Sequence, residues 1–218
     1  MNFSNSDVVK GKEFANRLLV WFKSNKRNFP WREESDPYRI LVAEKLLQQT
    51  TFGHVRKVYD KFFQKFPDVM TLASSSEAEI EEIIRPLGFH RQRARQFKKI
   101  AEELLKVYEG KIPKNKDSLL KLPGIGKYVA SAVLCFAFNE DVPIVDVNVR
   151  RVMQRLFNLE KISDDELEKF LEKIMPAGKA KEFNWGIIDF SAIICSRKPK
   201  CKKCFVTDLC SYFKAKLE

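Results

Sequence analysis

The 218-residue chain is long enough for one domain or two small ones, and its hydrophobic content of 44% suffices for a buried core. Its 40 Lys and Arg residues against 29 Asp and Glu give a net charge of +11, which predicts a polyanionic partner such as nucleic acid. No apolar run reaches transmembrane length, and the first residues lack the basic and apolar regions of a signal peptide. Four of the five cysteines crowd the C-terminal tail, so we expect no dispersed disulfide framework and a reducing cytoplasm.

The first helices are predicted from their apolar periodicity. Residues 7–24 carry an apolar stripe at helical spacing. A serine and an aspartate in N-cap position, followed by Pro37, predict a second helix over residues 38–50. This helix is apolar nearly all round, so the carboxylate of Glu44 within it must be paired, protonated or directed into a cleft.

Helical patterns continue to the C-terminal tail, and no segment shows the sustained alternation of a β-strand. An acidic helix is stopped by Pro86 and Gly88, and a basic helix follows. The sequence therefore predicts an all-α fold. The further predicted helices run from residue 55 to near Pro67, over 76–85, from the basic segment 89–99 to near Gly110, across the apolar residues of 129–136 and 149–156, and over 164–175 and 182–194.

A glycine hairpin separates two of these helical patterns. It runs from Leu122 through Gly124 and Gly126 to Tyr128. Glycines at both positions permit positive φ and let a phosphate approach bare backbone N–H groups at the start of the next helix. An ordinary loop is the alternative interpretation of this pattern.

Asp146 follows a short apolar run and precedes the helix over 149–156. An aspartate directly ahead of a helix is typically its N-cap.

The tail contains Cys195, Cys201, Cys204 and Cys210, spaced by five, two and five residues. Four thiolates in so short a loop are typical of a metal centre, either zinc or a [4Fe–4S] cluster. The basic residues of the same loop are expected to bind phosphates; they include Arg197, Lys198 and Lys200. Cys135 lies apart, on an apolar helix, and is predicted to be a small core residue.

The hairpin together with the segment Val145 to Val149 resembles the helix-hairpin-helix DNA glycosylase superfamily, in the branch of endonuclease III. The resemblance extends over residues 28–213. It implies two helical domains, residues 26–138 and residues 1–25 plus 139–218, with a pocket between them. It also implies a [4Fe–4S] cluster in the cysteine loop rather than zinc, although the family usually has six residues, not five, between the first two cysteines.

The resemblance further implies the roles of three residues. Asp146 would stabilise the sugar cation that forms when a flipped base is cleaved from C1′. Tyr128 stands where bifunctional relatives carry a nucleophilic lysine, so the enzyme is expected to lack lyase activity. Glu44 would contact the target base. Lys127 is no simple substitute for the missing lysine, because adjacent helical residues point about 100° apart.

Two sibling groups share Tyr128 and Glu44: the archaeal-type thymine-DNA mismatch glycosylases, which act on thymine or uracil opposite guanine, and the adenine DNA glycosylases, which act on adenine opposite oxidised guanine. The segment Gln48 to Thr50 favours the adenine group, whereas residues 50–55, 126–128 and 189–201 favour the mismatch group. The chain also ends soon after Cys210, where adenine enzymes typically continue. We therefore predict the mismatch activity, with the adenine activity as the alternative and a non-catalytic DNA-binding protein as a third hypothesis.

The expected partner is double-stranded DNA with a flipped-out mispaired base, bound by a monomer that associates with a prokaryotic nucleoid. Phe89 matches an aromatic wedge of the adenine relatives, with a core position as the alternative. Gln48 and Gln49 are candidates for facing the orphan guanine. The complete set of expected DNA contacts is Gly124, Gly126, Lys127, Gln48, Gln49, Phe89, Arg197, Lys198 and Lys200.

Overall fold

A computed structural model describes residues 3–159 and 161–216. Within these ranges the chain forms α-helices, short 3₁₀ turns and loops, with no β-strand, which confirms the predicted all-α class. No helix of the described residues is long and apolar enough to span a membrane. The helices are α1 Asn5–Asn25, α2 Pro37–Leu47, α3 Phe52–Lys65, α4 Val69–Ser74, α5 Glu77–Ile84, α6 His90–Tyr108, α7 Lys116–Lys121, α8 Lys127–Phe138, α9 Val147–Phe157, α10 Asp164–Ile174, α11 Ala180–Ile193 and α12 Ser211–Lys214.

The chain divides into two compact units. The central unit consists of residues 29–138 and contains α2 to α8. The terminal unit combines the chain up to residue 28 with the chain from residue 139 onward, so it contains α1 and α9 to α12.

Helix α2 forms the centre of the central unit. The Asp36 side chain caps it by accepting a hydrogen bond from the Tyr38 backbone N–H, and Pro37 occupies the first turn as predicted. Eight of its eleven residues are buried, among them Glu44 and Lys45. Helix α8, also apolar, packs against it. Two ionisable side chains are therefore built into the core of this unit.

The predicted C-terminal end of α2, near Thr50, is wrong. The helix ends at Leu47, because Gln48 adopts an extended conformation and Gln49 has a positive φ of 51°. A left-handed residue cannot continue a right-handed helix. The resulting tight turn leads directly into α3, whose N-cap is Thr51.

The terminal unit is built around α1, which packs against α10 and α11. Gly11 lets α1 approach α10 closely, since a Cβ at that position would lie only 2.5 Å from Cγ2 of Ile174. Helix α9 also contacts α11 and carries Asp146 at its N-terminus. The buried side chains that share this core include Phe14, Leu18, Met153, Phe170, Phe183 and Ile187.

Candidate active site

The glycine hairpin lies between α7 and α8, as the sequence predicts. Gly124 has φ of +71°, and a Cβ there would lie 3.3 Å from Cδ of Gln96. Gly126 does not have a positive φ, so of the two glycines only Gly124 uses the conformational freedom that glycine permits. Helix α8 starts at the next residue, and no described atom beyond Gly126 and its two chain neighbours lies within 4 Å of the position that a Cβ would take. Its missing side chain leaves the backbone at the start of α8 uncovered.

Glu44 is buried inside the central unit, with 5% of its surface exposed. Burial raises the pKa of its carboxyl group to about 7, against the opposing effects of a hydrogen bond from Tyr128 and the positive charge of Arg32. Its Oε2 atom is buried and accepts no hydrogen bond from the described residues. The group therefore changes protonation state near neutral pH and keeps one oxygen for a further partner.

Tyr128 and Lys127 lie side by side at the start of α8 but in different surroundings. The Tyr128 side chain is half-buried and donates its hydrogen bond to Glu44, whereas Lys127 is exposed. This agrees with the angular separation of adjacent helical residues. The amine of Lys127 is therefore not equivalent to the tyrosine hydroxyl.

Asp146 is the half-buried N-cap of α9. Its Oδ1 accepts from the backbone N–H groups of Asn148 and Val149 at 2.9 and 2.7 Å. Its Oδ2 accepts from Nδ2 of Asn148 at 2.7 Å. These three donors fix the direction of the carboxylate at the N-terminus of a helix, where a negative charge is favoured.

Sequence reasoning assigned no role to the residues that support Asp146. Arg151 donates to Oδ1 of Asn148 at 3.1 Å and to the backbone oxygen of Cys195, also at 3.1 Å. The amide of Asn148 thus has its NH₂ group directed at Asp146. The sequence spacing indicates this contact between Asn148 and Arg151, since residues three apart on one helix lie on the same face.

All four tail cysteines line a single cavity of the terminal unit, together with apolar side chains such as Phe14 and Phe190. Arg155 supports the start of the loop by donating to the backbone oxygens of Cys195, Ser196 and Arg197. Among the described residues, no three His, Cys, Asp or Glu side chains are grouped closely enough to hold one metal ion. The four thiols therefore line one shared cavity but do not converge on a single point within it. Cys135 is fully buried on α8, which confirms its prediction as a core residue.

The remaining predicted DNA contacts are mostly exposed. Phe89 is 67% exposed and has a left-handed backbone with φ of 46°, so the alternative of a core position is wrong. Gln48 is half-buried and Gln49 is exposed. The three predicted basic residues of the cysteine loop, Arg197, Lys198 and Lys200, are exposed as well.

The predicted site residues fall into two groups by unit. The central unit contains Glu44, Tyr128, the hairpin glycines and Lys127, and the turns that carry Gln48, Gln49 and Phe89. The terminal unit contains Asp146 and the cysteine loop.

Residues 42–177 match the family model of the HhH-GPD superfamily base excision DNA repair protein. The chain belongs to the HhH-GPD superfamily. The match to the HhH-GPD model includes Glu44, Tyr128 and Asp146, whereas the four tail cysteines lie beyond it.

Individual HhH-GPD relatives extend the similarity to nearly the whole chain. The chain is 43% identical to the thymine/uracil-DNA glycosylase of Methanothermobacter thermautotrophicus, covering 94% of this chain and 95% of the relative. It is 35% identical to the adenine DNA glycosylase of Buchnera aphidicola subsp. Baizongia pistaciae, covering 94% of this chain but 60% of that relative. The solved structure of a thermostable thymine-DNA glycosylase superimposes with a TM-score of 0.93 at 41% identity, covering 97% of this chain and all of that one.

Proposed function

We propose that the protein is a monofunctional DNA glycosylase that hydrolyses the N-glycosidic bond of thymine or uracil paired with guanine in double-stranded DNA. The observation that carries this proposal is the similarity to a thymine/uracil-DNA glycosylase, which covers 94% of this chain and 95% of that relative. The net charge of +11 suits a DNA partner. The two compact units serve as the two domains of the enzyme in this proposal.

Asp146 is the proposed catalytic carboxylate. Cleavage of the bond to C1′ develops positive charge on the sugar, and a negative group fixed in advance near C1′ stabilises that charge without reorganisation. The three donors that hold its two oxygens support this role. Its half-exposure leaves the carboxylate accessible to a flipped nucleotide.

Glu44 is the proposed contact to the base. Thymine and uracil present an N3–H donor between two carbonyls, and an ionised carboxylate accepts from it. Adenine instead presents N7, which needs a protonated acid. A pKa of about 7 makes both forms of Glu44 available, and its unsatisfied Oε2 supplies the acceptor.

The absence of lyase activity is proposed from Tyr128. A Schiff base with C1′ needs an amine, and a tyrosine hydroxyl already donating to Glu44 cannot form one. Borohydride should therefore trap no covalent protein–DNA adduct, whereas Tyr128→Lys should gain one. Efficient trapping of the wild type would refute the monofunctional assignment.

DNA is proposed to bind to both units. In the central unit, the hairpin Gly124 to Lys127 would bind backbone phosphate, Phe89 would wedge into the base stack, and Gln48 with Gln49 would face the orphan guanine. In the terminal unit, the basic residues of the cysteine loop would contact phosphates without reading sequence; these are Arg197, Lys198 and Lys200.

A [4Fe–4S] cluster is proposed for the loop of Cys195, Cys201, Cys204 and Cys210. The four thiols fit this group, because they line one cavity. A zinc ion would require its sulfurs about 2.3 Å from a single point, whereas a cluster distributes its thiolate bonds over several iron atoms. When bound, the cluster supplies a cross-link that folds the loop.

The cluster is tested by metal analysis after anaerobic purification. We expect a brown protein with about four irons per chain. Stoichiometric zinc without iron would refute the cluster.

The base specificity is tested with duplexes that contain one altered pair each, followed by alkali to reveal abasic sites. Single-turnover excision should be fast for G·T and G·U and absent for G·C and A·T, partly because a mispaired base costs less to unstack. Faster excision of adenine opposite 8-oxoguanine would replace this proposal with the adenine activity. Binding without excision on every duplex would favour the non-catalytic hypothesis.

A further inference from the structure

Helix α2 contains a buried lysine for which the proposed reaction has no use. Lys45 is 3% exposed. Its Nζ donates to Oε1 of Gln48 at 2.7 Å, to Oε1 of Gln96 at 3.1 Å and to the backbone oxygen of Gly124 at 2.9 Å. An ammonium group has three protons, and all of them are used. Lys45 thereby joins the end of α2, helix α6 and the glycine hairpin.

A second buried cation lies beside it. Arg93 is 8% exposed and donates from Nη1 to the backbone oxygen of Lys45 at 2.9 Å, from Nη2 to that of Gln48, and from Nε to that of Gly88 at 3.2 Å. Its own backbone N–H donates to the oxygen of Phe89 at 2.9 Å. Arg93 therefore satisfies carbonyls at the C-terminal end of α2 and holds the turn of Gly88 and Phe89 from two sides.

This arrangement is electrostatically unfavourable. Burial and the neighbouring charge of Arg93 lower the pKa of Lys45 to about 8, and burial lowers the pKa of Arg93. The hydrogen bonds of both cations among the described residues end at amide or backbone oxygens, not at carboxylates. Two unpaired cations of like charge in a core oppose folding, so stability alone does not account for them.

Each segment that the two cations hold contains a residue in the left-handed region. Gln49 has φ of 51°, Phe89 has φ of 46° and Gly124 has φ of 71°. Two of these are not glycine, and such conformations persist only where the surrounding structure over-determines them. Four of the side-chain hydrogen bonds of Lys45 and Arg93 end at these residues or at their immediate neighbours.

We propose that Lys45 and Arg93 are positioning residues that hold the Gln48–Gln49 turn, the Gly88–Phe89 turn and the hairpin at Gly124 in one fixed arrangement before DNA binds. The inference rests on the proposed function, which assigns a DNA contact to each of the three segments. Their preorganisation reduces the conformational entropy that binding would otherwise cost. The positive charge beneath them also favours the phosphates that bind above.

The test separates affinity from chemistry. Lys45→Met keeps the length of the side chain but removes its three hydrogen bonds, and Arg93→Lys keeps the charge but cannot reach three carbonyls at once. We expect each variant to bind a G·T duplex about tenfold more weakly or worse, the effect of losing one charge-assisted hydrogen bond. The single-turnover excision rate at saturating enzyme should stay within about threefold of the wild type.

Lys98→Met is the matched control. Lys98 lies on α6, half-buried, and donates to the backbone oxygen of Ala73, which is outside the three segments. Its replacement should leave both affinity and rate unchanged, and Lys45→Arg should restore most of the affinity that Lys45→Met loses. Thermal unfolding of every variant is measured in parallel.

The outcomes distinguish the two proposals. Wild-type protein that fails to excise any base refutes the proposed function. An active wild type, with affinities for Lys45→Met and Arg93→Lys equal to that of Lys98→Met, refutes the positioning role alone. Affinity and saturated rate that fall together, in proportion to lost thermal stability, would also refute it, because they would reduce both cations to a structural role.

Discussion

The two carboxylates proposed for chemistry lie in different units and in opposite surroundings. Asp146, in the terminal unit, is half-exposed and accepts three hydrogen bonds from the start of its own helix. Glu44, in the central unit, is buried and accepts one hydrogen bond from Tyr128 while its Oε2 accepts none from the described residues. Both oxygens of Asp146 therefore accept hydrogen bonds, whereas one oxygen of Glu44 has no donor among the described residues.

This contrast assigns different work to the two groups. Donors that are fixed before the reaction make Asp146 a stationary negative group, which suits the stabilisation of a developing cation. Burial makes the protonation of Glu44 adjustable near neutral pH, which suits a contact to a base that either donates or accepts. Each of the following predictions alters one side of this contrast.

The largest effect is expected from Asp146→Asn. Asparagine caps a helix as well as aspartate does, so α9 should keep its N-terminus. The negative charge is lost, and single-turnover excision of thymine should fall by about 1,000-fold or more. Affinity for the G·T duplex should stay within a few-fold of the wild type, as measured by fluorescence anisotropy. Excision near the wild-type rate would remove Asp146 from the mechanism and leave it as an N-cap only.

An intermediate effect is expected from Glu44→Gln, on stability. The pKa of Glu44 is raised from 4.5 to about 7 in the folded protein. Between these values the unfolded chain releases a proton that the folded chain keeps, so the wild type loses stability as pH rises. Below 4.5 both states are protonated, and above about 7 both are ionised and the deficit is constant. Glutamine does not ionise, so the residue at position 44 contributes no such pH dependence to the stability of Glu44→Gln.

Urea unfolding between pH 5 and 7.5 measures this difference. The stability of Glu44→Gln relative to the wild type should increase across that range by about 2 to 3 kcal/mol. Glu82→Gln, at an exposed position of α5, is the matched control and should show no comparable trend. A relative stability of Glu44→Gln that does not change with pH would mean that the carboxyl group is not held protonated by burial.

Features of the fold and of the site that depend on near neighbours in the chain are predictable from the sequence. Caps and periodicity predict most of the helices, since signals such as Asp36 with Pro37 act through near neighbours in the chain. Glu44 is predictable as a site residue, because a carboxylate in an apolar helix must be paired, protonated or directed into a cleft. The sequence does not predict the equally deep burial of the neighbouring Lys45, because a lysine with its long aliphatic chain more often reaches solvent.

The remaining features depend on tertiary contacts. Arg93 belongs to a run of basic residues on α6 that favours an exposed face, and it is buried because carbonyls of α2 lie opposite it. The early end of α2 follows from the same contact, together with the left-handed Gln49. The sequence suits Phe89 to a core position as well as to a DNA wedge. Its exposure is set by the turn at Gly88, which also has a positive φ. Short-range sequence patterns do not contain this information.

The smallest effect, and the one that best separates thymine from adenine as the target, is expected from Tyr128→Phe. The hydrogen bond from Tyr128 lowers the pKa of Glu44 against the effect of burial, so its removal should raise that pKa further. If ionised Glu44 accepts from N3–H of thymine, excision of thymine from G·T accelerates as pH rises through about 7. Tyr128→Phe should shift the midpoint of that rise upward by roughly half to one pH unit.

Tyr59→Phe is the control for this measurement, because Tyr59 is a buried tyrosine of the same unit whose hydroxyl has no partner among the described residues. Its pH–rate profile should match that of the wild type. A wild-type rate that instead decreases through the same pH range would require protonated Glu44, the form that donates to N7 of adenine. The sign of the slope therefore decides which base the buried carboxyl group is built to bind, and the size of the shift in Tyr128→Phe decides whether the tyrosine tunes it.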